Sequence, residues 1–448
     1  MPKIWDQVKE RQNWGGLVVF LCLLFTQFMV PVKLAGNTMY LYLVEFFLIA
    51  LFLGACVHLL VKREKPQLRL IEFLLLGLLC AWFVVLTGYR YVFAGTITGG
   101  FIVFRVLVFP IVLVLLLRQY RIGRKAVALG LFLFLTAVNL YQIYSLFAVS
   151  HSFRQIKGLM NINIYLCFAL AALPMLIGFV CAYQNSCKCR MLAVRAMGIF
   201  NVLAIVCFSL FSGSRIAVAL CPVIATLSWF LTAKISRRSI SIFFSMVAAV
   251  AVLVGSMITL DVYDAEYNFY RVTDTLIPNV DLTQFIDSTE ETMGELPEDV
   301  QAGIMNEVQE SANQSVTDSD NMRSVLWEKS IFYIRQNPIF GRHSIDIDAE
   351  VVFAGTEEKS LIIEAPHNFI LEMWLALGLP GMAVYLLMIA LCSFKVMLSK
   401  LTLLVKANFL LVMLSVFGFS FFQPLVTCYF AVSLMLWLAM YLFLETDK

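Results

Sequence analysis

The chain has 448 residues, of which 61% are hydrophobic and only 14% are charged, with a formal net charge of +3 and a mean hydropathy of +0.85. This composition excludes a soluble globular protein, and we predict no nucleic-acid partner. Successive apolar runs of about 20 residues are long enough to cross a hydrocarbon layer of roughly 30 Å as helices. We therefore predict an all-α, multi-pass integral membrane protein embedded in the lipid bilayer.

Apolar runs between clusters of charge predict about twelve transmembrane helices. The runs lie near 15–32, 38–61, 70–88, 96–117, 126–148, 162–183, 196–211, 216–233, 240–260, 381–397, 408–422 and 425–444. One long polar interval separates the ninth run from the tenth. The predicted domains are therefore nine spans in 1–260, a large loop in 261–380 that carries the site, and three spans in 381–448.

Lys and Arg concentrate in alternate short connections, which is the pattern that orients a multi-spanning protein. The basic connections, predicted to face the cytoplasm, carry Lys62, Arg63, Lys65, Arg69, Arg118, Arg121, Arg124, Lys125, Lys188, Arg190, Arg195, Lys234, Arg237, Arg238, Lys395, Lys400 and Lys406. The other short connections hold only Lys33, Arg90, Arg154, Lys157 and Arg215. Both termini are thus predicted to be cytoplasmic and the long interval, between helices 9 and 10, extracytoplasmic.

The extracytoplasmic interval is strongly acidic. Residues 261–366 hold 22 Asp and Glu against six Lys and Arg, a net charge of −16. Within this interval, residues 281–320 carry eleven acidic side chains, no basic one and few large apolar residues, which is typical of a solvated segment. A calcium-binding or partner-docking role for that segment is the alternative.

A helix is predicted near the end of the interval. Asp320 can cap it, Pro338 forbids its continuation past Asn337, and one face carries Trp327, Ile331 and Ile334. Arg323 lies in the first turn, where its guanidinium and the free backbone N–H groups favour a phosphate.

A second helix is predicted to begin at Pro366, because proline is tolerated in a first turn. Its apolar side carries Phe369, Leu371, Trp374 and Leu375. His367 sits beside the helix start, whose positive end favours a neutral imidazole able to accept a proton. The competing interpretation is an ordinary amphipathic residue at the membrane interface.

Two further arginines have both a structural and a functional interpretation. Arg215 ends a Ser-Gly-Ser-Arg turn (212–215) between two apolar runs, where it either snorkels to lipid phosphate or binds an anion together with exposed backbone N–H groups. Arg105 falls near the middle of the fourth predicted span, a costly position for a charge. Glu45 in the second span is its expected partner, which makes a structural pair the alternative to a substrate contact.

Arg215, Arg323 and His367 on one face of the membrane suggest transfer from a phosphate-activated donor. Guanidinium groups suit phosphate oxygens and offset charge on a departing diphosphate, while the imidazole deprotonates an acceptor hydroxyl. Two Asp-x-Asp pairs, Asp318/Asp320 and Asp346/Asp348, favour a metal-dependent glycosyltransferase instead. Because such pairs arise easily by chance in so acidic a loop, we predict no metal and no cofactor.

The order of these segments resembles the O-antigen ligase and O-antigen polymerase superfamily of bacterial membrane glycan enzymes, which has a GT-C-like fold. The resemblance covers the whole topology, including the large loop before the last spans. The segments that carry it are SGSR (212–215), MRSVLWEKSIFYIRQNPIFG (322–341), PHNFILE (366–372) and GLPG (378–381).

The resemblance implies a metal-independent, inverting glycosyltransferase in the bacterial cytoplasmic (inner) membrane. Its donor is a polyprenyl-diphosphate-linked oligosaccharide or polysaccharide, and its acceptor is a glycan or lipid-linked hydroxyl, in O-antigen or capsular polysaccharide assembly. Polymerase activity is slightly favoured over ligase activity, and transfer to protein stays open.

By the same resemblance, Arg215 and Arg323 bind the diphosphate and His367 is the general base. The secondary candidates are Arg105, Arg342, Asn368 and Glu372. The role of Arg342 is open, because many relatives have a small residue after the turn glycine.

Two other classes of protein compete with this interpretation. A transporter or flippase of lipid-linked glycans also has about twelve spans, but transporters usually consist of two related halves. No repeat relates residues 1–211 to 216–448. A non-catalytic scaffold is disfavoured by the clustered outer Arg and His residues.

Overall fold

The computed structural model describes residues 2–34, 37–63, 70–95, 98–153, 159–182, 189–232, 237–260, 263, 265, 321–342, 344–352, 359–423, 426 and 429–444. These residues are mostly helical, with two β-hairpins. The elements are α1 (Pro2–Phe25), β1 (Met29–Leu34), β2 (Asn37–Tyr42), α2 (Leu43–Lys62), α3 (Leu70–Ala94), α4 (Thr98–Gln119), α5 (Arg124–Ser145), a π-helical turn (Leu146–Ser150), α6 (Ile162–Ala182), α7 (Cys189–Phe211), α8 (Arg215–Thr232), α9 (Arg237–Thr259), α10 (321–336), β3 (Ile347–Val352), β4 (Lys359–Glu364), α11 (Phe369–Leu398), α12 (Leu403–Ser420) and α13 (Phe430–Leu444).

Each of the twelve predicted apolar runs overlaps one of these helices. Within the described part of the chain, six helices are long and apolar enough to cross a membrane, and five shorter helical segments are also apolar. These findings support a multi-pass, mainly helical membrane protein. The count of twelve spans, the domain bounds and the orientation stay predictions, and the acidic segment 281–320 lies outside the described residues.

The first predicted span, 15–32, was too long at its carboxyl end. Helix α1 ends at Phe25, and Met29–Leu34 pairs antiparallel with Asn37–Tyr42 from Met29 opposite Tyr42 to Leu34 opposite Asn37. Pro31 has no backbone N–H and cannot continue a helix, and its β-branched neighbours Val30 and Val32 favour an extended chain. The apolar composition of this segment therefore did not specify a helix.

A buried polar network joins α5, α6 and α7 in the middle of the bundle. Asn139 Nδ2 donates to Asn201 Oδ1 (2.8 Å), Asn201 Nδ2 donates to Thr136 Oγ1 (2.8 Å), and the Tyr165 hydroxyl donates to Asn139 Oδ1 (2.6 Å). The Thr136 hydroxyl donates to the Phe132 carbonyl. Both amide groups thus have partners for their oxygen and for one N–H, which indicates a packing role rather than a ligand site.

We predict that Asn201→Leu lowers the free energy of unfolding by about 1–3 kcal/mol, because it removes two interhelical hydrogen bonds and leaves the Asn139 amide N–H without a partner. Thermal unfolding in detergent measures the change. Ser256→Ala is the matched control, since the Ser256 hydroxyl bonds only within its own helix, to the Val252 carbonyl. Equal stability of both variants would contradict a packing role for the network.

The interval predicted to be extracytoplasmic contributes to a second small core beside the bundle. Leu326 and Ile334 of α10 pack with Ile347 and Ala349 of β3 and with Leu375 of α11. Between α10 and Pro366 the chain forms the β3–β4 hairpin, paired from Ile347 opposite Glu364 to Val352 opposite Lys359. This hairpin delivers the chain to the start of α11.

The face of α10 that packs inward differs slightly from the predicted one. The buried residues are Leu326, Ser330 and Ile334, whereas Ile331 is 40% exposed. The hairpin and α11 cover α10 from the side of Leu326, which the apolar pattern of α10 alone does not specify. Helix α10 ends at residue 336, before Pro338, as predicted, and Asp320 lies outside the described residues.

Candidate active site between β4 and α11

His367 occupies the short connection between β4 and α11, not the first turn of a helix. The prediction that Pro366 opens the helix is wrong, because α11 begins at Phe369 and Asn368 is its N-cap. The Asn368 side-chain oxygen accepts from the backbone N–H groups of Ile370 (3.1 Å) and Leu371 (3.3 Å), an arrangement that proline cannot provide. The structure thus gives Asn368 a structural role.

Glu372 completes this cap from within the helix. Its carboxylate accepts from the backbone N–H of Asn368 at 3.1 Å, and the residue is fully buried. Reciprocal contacts of this kind fix the direction in which a chain enters a helix. Asn368 and Glu372, both predicted as secondary site residues, therefore hold the backbone next to His367.

His367 is 91% buried and has a left-handed backbone, with φ of 54°. A residue other than glycine rarely adopts this conformation unless its neighbours impose it. On one side the cap fixes Asn368, and on the other the Trp327 indole donates to the Pro366 carbonyl at 2.6 Å. The imidazole is thereby held between α10 and α11.

Arg323 and His367 meet around one carboxylate, that of Glu364 at the end of β4. His367 Nε2 lies 3.1 Å from Glu364 Oε1. A hydrogen bond with His367 lowers the pKa of Glu364 from its ordinary value, partial burial opposes the shift, and the charges of His367 and Arg323 reinforce it. Arg323 is one turn before Trp327 on α10. The first two turns of α10 therefore lie alongside residues 364–366, with Arg323 acting on Glu364 and Trp327 bound to Pro366.

Arg215 begins α8 after a turn in which Gly213 has φ of 72° and Ser214 caps the helix through its side chain. Thr232 at the other end of α8 contacts Asn408 near the start of α12, so the two helices run antiparallel. Arg215 therefore lies at the end of the bundle that carries the last turn of α12.

Phe369 lies at that same end of the bundle. Its ring packs against Phe417 and Phe421, which belong to the last turn of α12 and the residue after it, at centroid distances of 5.2 and 5.3 Å. Arg215 and His367 thus share one end of the bundle. Whether Arg215 completes the group formed by Arg323, Glu364 and His367 stays a prediction.

Arg105 forms the buried ion pair that the sequence suggested. Its Nε lies 3.1 Å from Glu45 Oε1, and its Nη2 donates to the Tyr40 carbonyl at 2.9 Å. Both side chains are almost fully buried. The contacts of Arg105 support the structural interpretation over a substrate contact.

Arg342 also has structural contacts. Its guanidinium donates to the Asp346 carbonyl at 2.9 Å, lies 3.7 Å from an Asp348 carboxylate oxygen and stacks 4.2 Å from the centre of the Tyr333 ring. These contacts join the turn after α10 to the β3–β4 hairpin. Asp348, which belongs to one of the Asp-x-Asp pairs of the metal-dependent alternative, thus has a cation beside it.

Of the two Asp-x-Asp pairs, Asp318/Asp320 lies outside the described residues. Within the described ranges, no group of three or more His, Cys, Asp or Glu side chains is placed to hold a metal ion. The expectation that the reaction needs no metal stays a prediction, to be tested with a chelator.

Sequence reasoning missed the connection between α3 and the site. The turn after α10 inserts Phe340 between two aromatic rings of α3, with centroid distances of 4.0 Å to Tyr89 and 5.6 Å to Trp82. Arg90, noted before only as an outer charge, donates through Nη2 to the carbonyls of Phe340, Leu375 and Ala376 at 3.2, 3.0 and 2.7 Å. Helix α3 therefore holds the turn and α11 together.

The reason for these contacts is a break within α11. Gly378 has φ of 65° and ψ of 173°, and Pro380 has no N–H, so carbonyls of the preceding turn lose their helical partners. Arg90, the Trp82 indole (2.6 Å to the Leu377 carbonyl) and the Arg342 backbone N–H (2.7 Å to the Leu375 carbonyl) take their place. The sequence around Arg90 carried no signal for this junction, because the burial of Arg90 and the carbonyls that it binds follow from the fold.

The part of the chain that carries Arg215, Arg323 and His367 matches a known protein family. Residues 200–386 match the model of a family described as O-Antigen ligase. This part of the chain is thus similar to the O-antigen ligase family. A comparison with curated proteins gave no match.

The matched segment includes Arg215, Arg323 and His367 and ends within α11. The family supports a function in handling lipid-linked glycans of the O-antigen type and agrees with the resemblance seen in the sequence. Arg90, Trp82 and Tyr89 lie before the matched segment, so a helix outside it supports the candidate site within it.

Proposed function

We propose that this protein transfers a glycan from a polyprenyl diphosphate carrier to an acceptor hydroxyl at the outer face of the cytoplasmic membrane. The observation that carries the proposal is the grouping of Arg323 and the buried His367 around Glu364, within a segment similar to the O-antigen ligase family. A cation and a nitrogen base side by side suit a reaction that expels a diphosphate and needs a proton removed.

In the proposed reaction, the acceptor oxygen attacks the anomeric carbon while His367 takes its proton. The bond from that carbon to the diphosphate oxygen breaks, and the polyprenyl diphosphate leaves with the electron pair. Arg215 and Arg323 neutralise the departing diphosphate without a metal. Attack from the face opposite the leaving group inverts the anomeric configuration.

The function is tested with purified protein in proteoliposomes that contain a polyprenyl-diphosphate-linked repeat unit. We expect new glycosidic bonds, and chain growth without an added acceptor identifies a polymerase, which we favour. Product that forms only with a separate acceptor identifies a ligase. Movement of the lipid-linked glycan across the bilayer without a new bond would contradict the proposal and support a flippase.

A chelator tests the role of metal in the same assay. We expect transfer to persist in EDTA, since arginine side chains are proposed to stabilise the diphosphate. Loss of transfer in EDTA that a divalent ion restores would contradict this expectation and direct attention to Asp346 and Asp348.

Arg215→Lys and Arg323→Lys are each expected to reduce transfer by about 10- to 100-fold, because an ammonium cannot reproduce the bidentate contacts of a guanidinium with a diphosphate. Initial rates in proteoliposomes measure the effect. Arg335→Lys is the matched control, since Arg335 is an exposed residue of α10. Full activity of both test variants would contradict diphosphate binding by Arg215 and Arg323 and would indicate structural or lipid-facing roles for them.

A further inference from the structure

The two nitrogens of His367 have different surroundings. Both nitrogens are buried, and neither has a hydrogen-bond partner of good geometry within the described ranges of the chain. Nε2 nevertheless lies 3.1 Å from Glu364 Oε1, so it is the nitrogen beside the carboxylate. A buried polar atom without a partner is unusual and calls for an explanation. Here Nδ1 is the nitrogen that is left available to a bound substrate.

The imidazole and the carboxylate are fixed relative to each other. Glu364 is the last residue of β4, paired with Ile347, and His367 follows three residues later in a backbone conformation held by Trp327 and by the cap at Asn368. Unlike a surface ion pair between two flexible side chains, this pair is built into the transition from strand to helix. A carboxylate in such a position selects one tautomer of a neutral imidazole.

We propose that Glu364 is a positioning residue whose carboxylate accepts a hydrogen bond from the Nε2–H of His367. The Nδ1 lone pair is then left to deprotonate the acceptor hydroxyl. This inference rests on the proposed function. When Nδ1 takes the proton, the imidazolium has its new charge beside the Glu364 carboxylate, which stabilises it. The acceptor oxygen forms the new bond to the anomeric carbon as the diphosphate leaves with its electron pair.

Arg323 has a second part in this arrangement. Its charge, together with the hydrogen bond and charge of His367, lowers the pKa of Glu364, so the carboxylate stays ionised near neutral pH although it is partly buried. Partial burial raises the pKa of Asp346, just before the hairpin, and the Glu364 carboxylate adds to that shift. The proposed diphosphate-binding residue Arg323 and the proposed base His367 are thus coupled through the Glu364 carboxylate.

Nitrogen-15 NMR with labelled histidine tests the tautomer directly, because the chain has only four histidines and His367→Ala identifies the signal of His367. We expect the wild-type signal to be that of the neutral Nε2–H tautomer. Glu364→Gln is expected to remove this preference, since the amide can donate as well as accept. Glu350→Gln, on the exposed face of the same hairpin, is the matched control.

Kinetics of the same variants test whether the tautomer matters for transfer. We expect Glu364→Gln to lower kcat by about 10- to 100-fold with little change in KM and no change in thermal stability, a smaller loss than removal of the base itself. A wild-type Nδ1–H tautomer, or unchanged kcat in Glu364→Gln, would overturn the role of Glu364 and leave the proposed function standing. Wild-type protein that shows the Nε2–H tautomer but forms no glycosidic bond would overturn the proposed function, and the proposed role with it.

Discussion

Replacing His367 with alanine is expected to reduce glycan transfer by about 10²- to 10⁴-fold, the range that a positioned general base contributes. The imidazole is the only group proposed to remove the acceptor proton, and an alanine methyl cannot replace it. Residual transfer then depends on binding of the donor and on the two arginines. Initial rates with a polyprenyl-diphosphate-linked repeat unit measure the loss.

This variant is expected to keep its fold and its insertion into the membrane. His367 lies in the connection between β4 and α11, and the Trp327 bond to the Pro366 carbonyl does not involve its side chain. His58→Ala is the matched control, because His58 is an exposed residue in the second half of α2, towards the predicted cytoplasmic side. Wild-type polymer from the His367→Ala protein would rule out the proposed base.

Gly378→Ala is expected to destabilise the protein by at least about 3 kcal/mol and to abolish transfer, although Gly378 has no proposed chemical role. With φ of 65° and ψ of 173°, its backbone lies in a region that is accessible in practice only to glycine. A Cβ at this position would also lie 1.8 Å from the Ile339 carbonyl oxygen. Because the neighbour is backbone, the turn after α10 would have to move away from α11.

Thermal unfolding and transfer are expected to fall together in Gly378→Ala, whereas only transfer falls in His367→Ala. Gly88→Ala provides the control, because a Cβ on this glycine of α3 meets no atom within 4 Å in the described part of the chain. If Gly378→Ala unfolds at the wild-type temperature and transfers glycan normally, the junction between α3, the turn and α11 does not support the site.

The main features of the fold could be predicted from the sequence because the bilayer imposes a simple rule. A helix satisfies its own backbone, so long apolar runs between charged connections predict helices without knowledge of their neighbours. The rule failed at Met29–Leu34, where an apolar segment contains Pro31 and pairs with Asn37–Tyr42 instead. Hydropathy alone does not decide the backbone conformation, which here depends on the missing N–H of Pro31 and on β-branched neighbours.

The candidate site was predictable in its residues but not in its connections. Arg323 and His367 stood out because polar groups of these types are unusual beside apolar runs. Glu364 did not, since it is one of 22 acidic residues in its interval and only the fold places it 3.1 Å from the imidazole. The function of Arg90 depends on carbonyls released near Gly378 and is likewise invisible in a local pattern.

The most direct test of the central claim is the release of polyprenyl diphosphate by purified protein in proteoliposomes. We predict that wild-type protein releases one carrier diphosphate for each glycosidic bond formed and that the His367→Ala protein releases almost none. Passage of the intact lipid-linked glycan across the bilayer without release, equally in both proteins, would contradict the account.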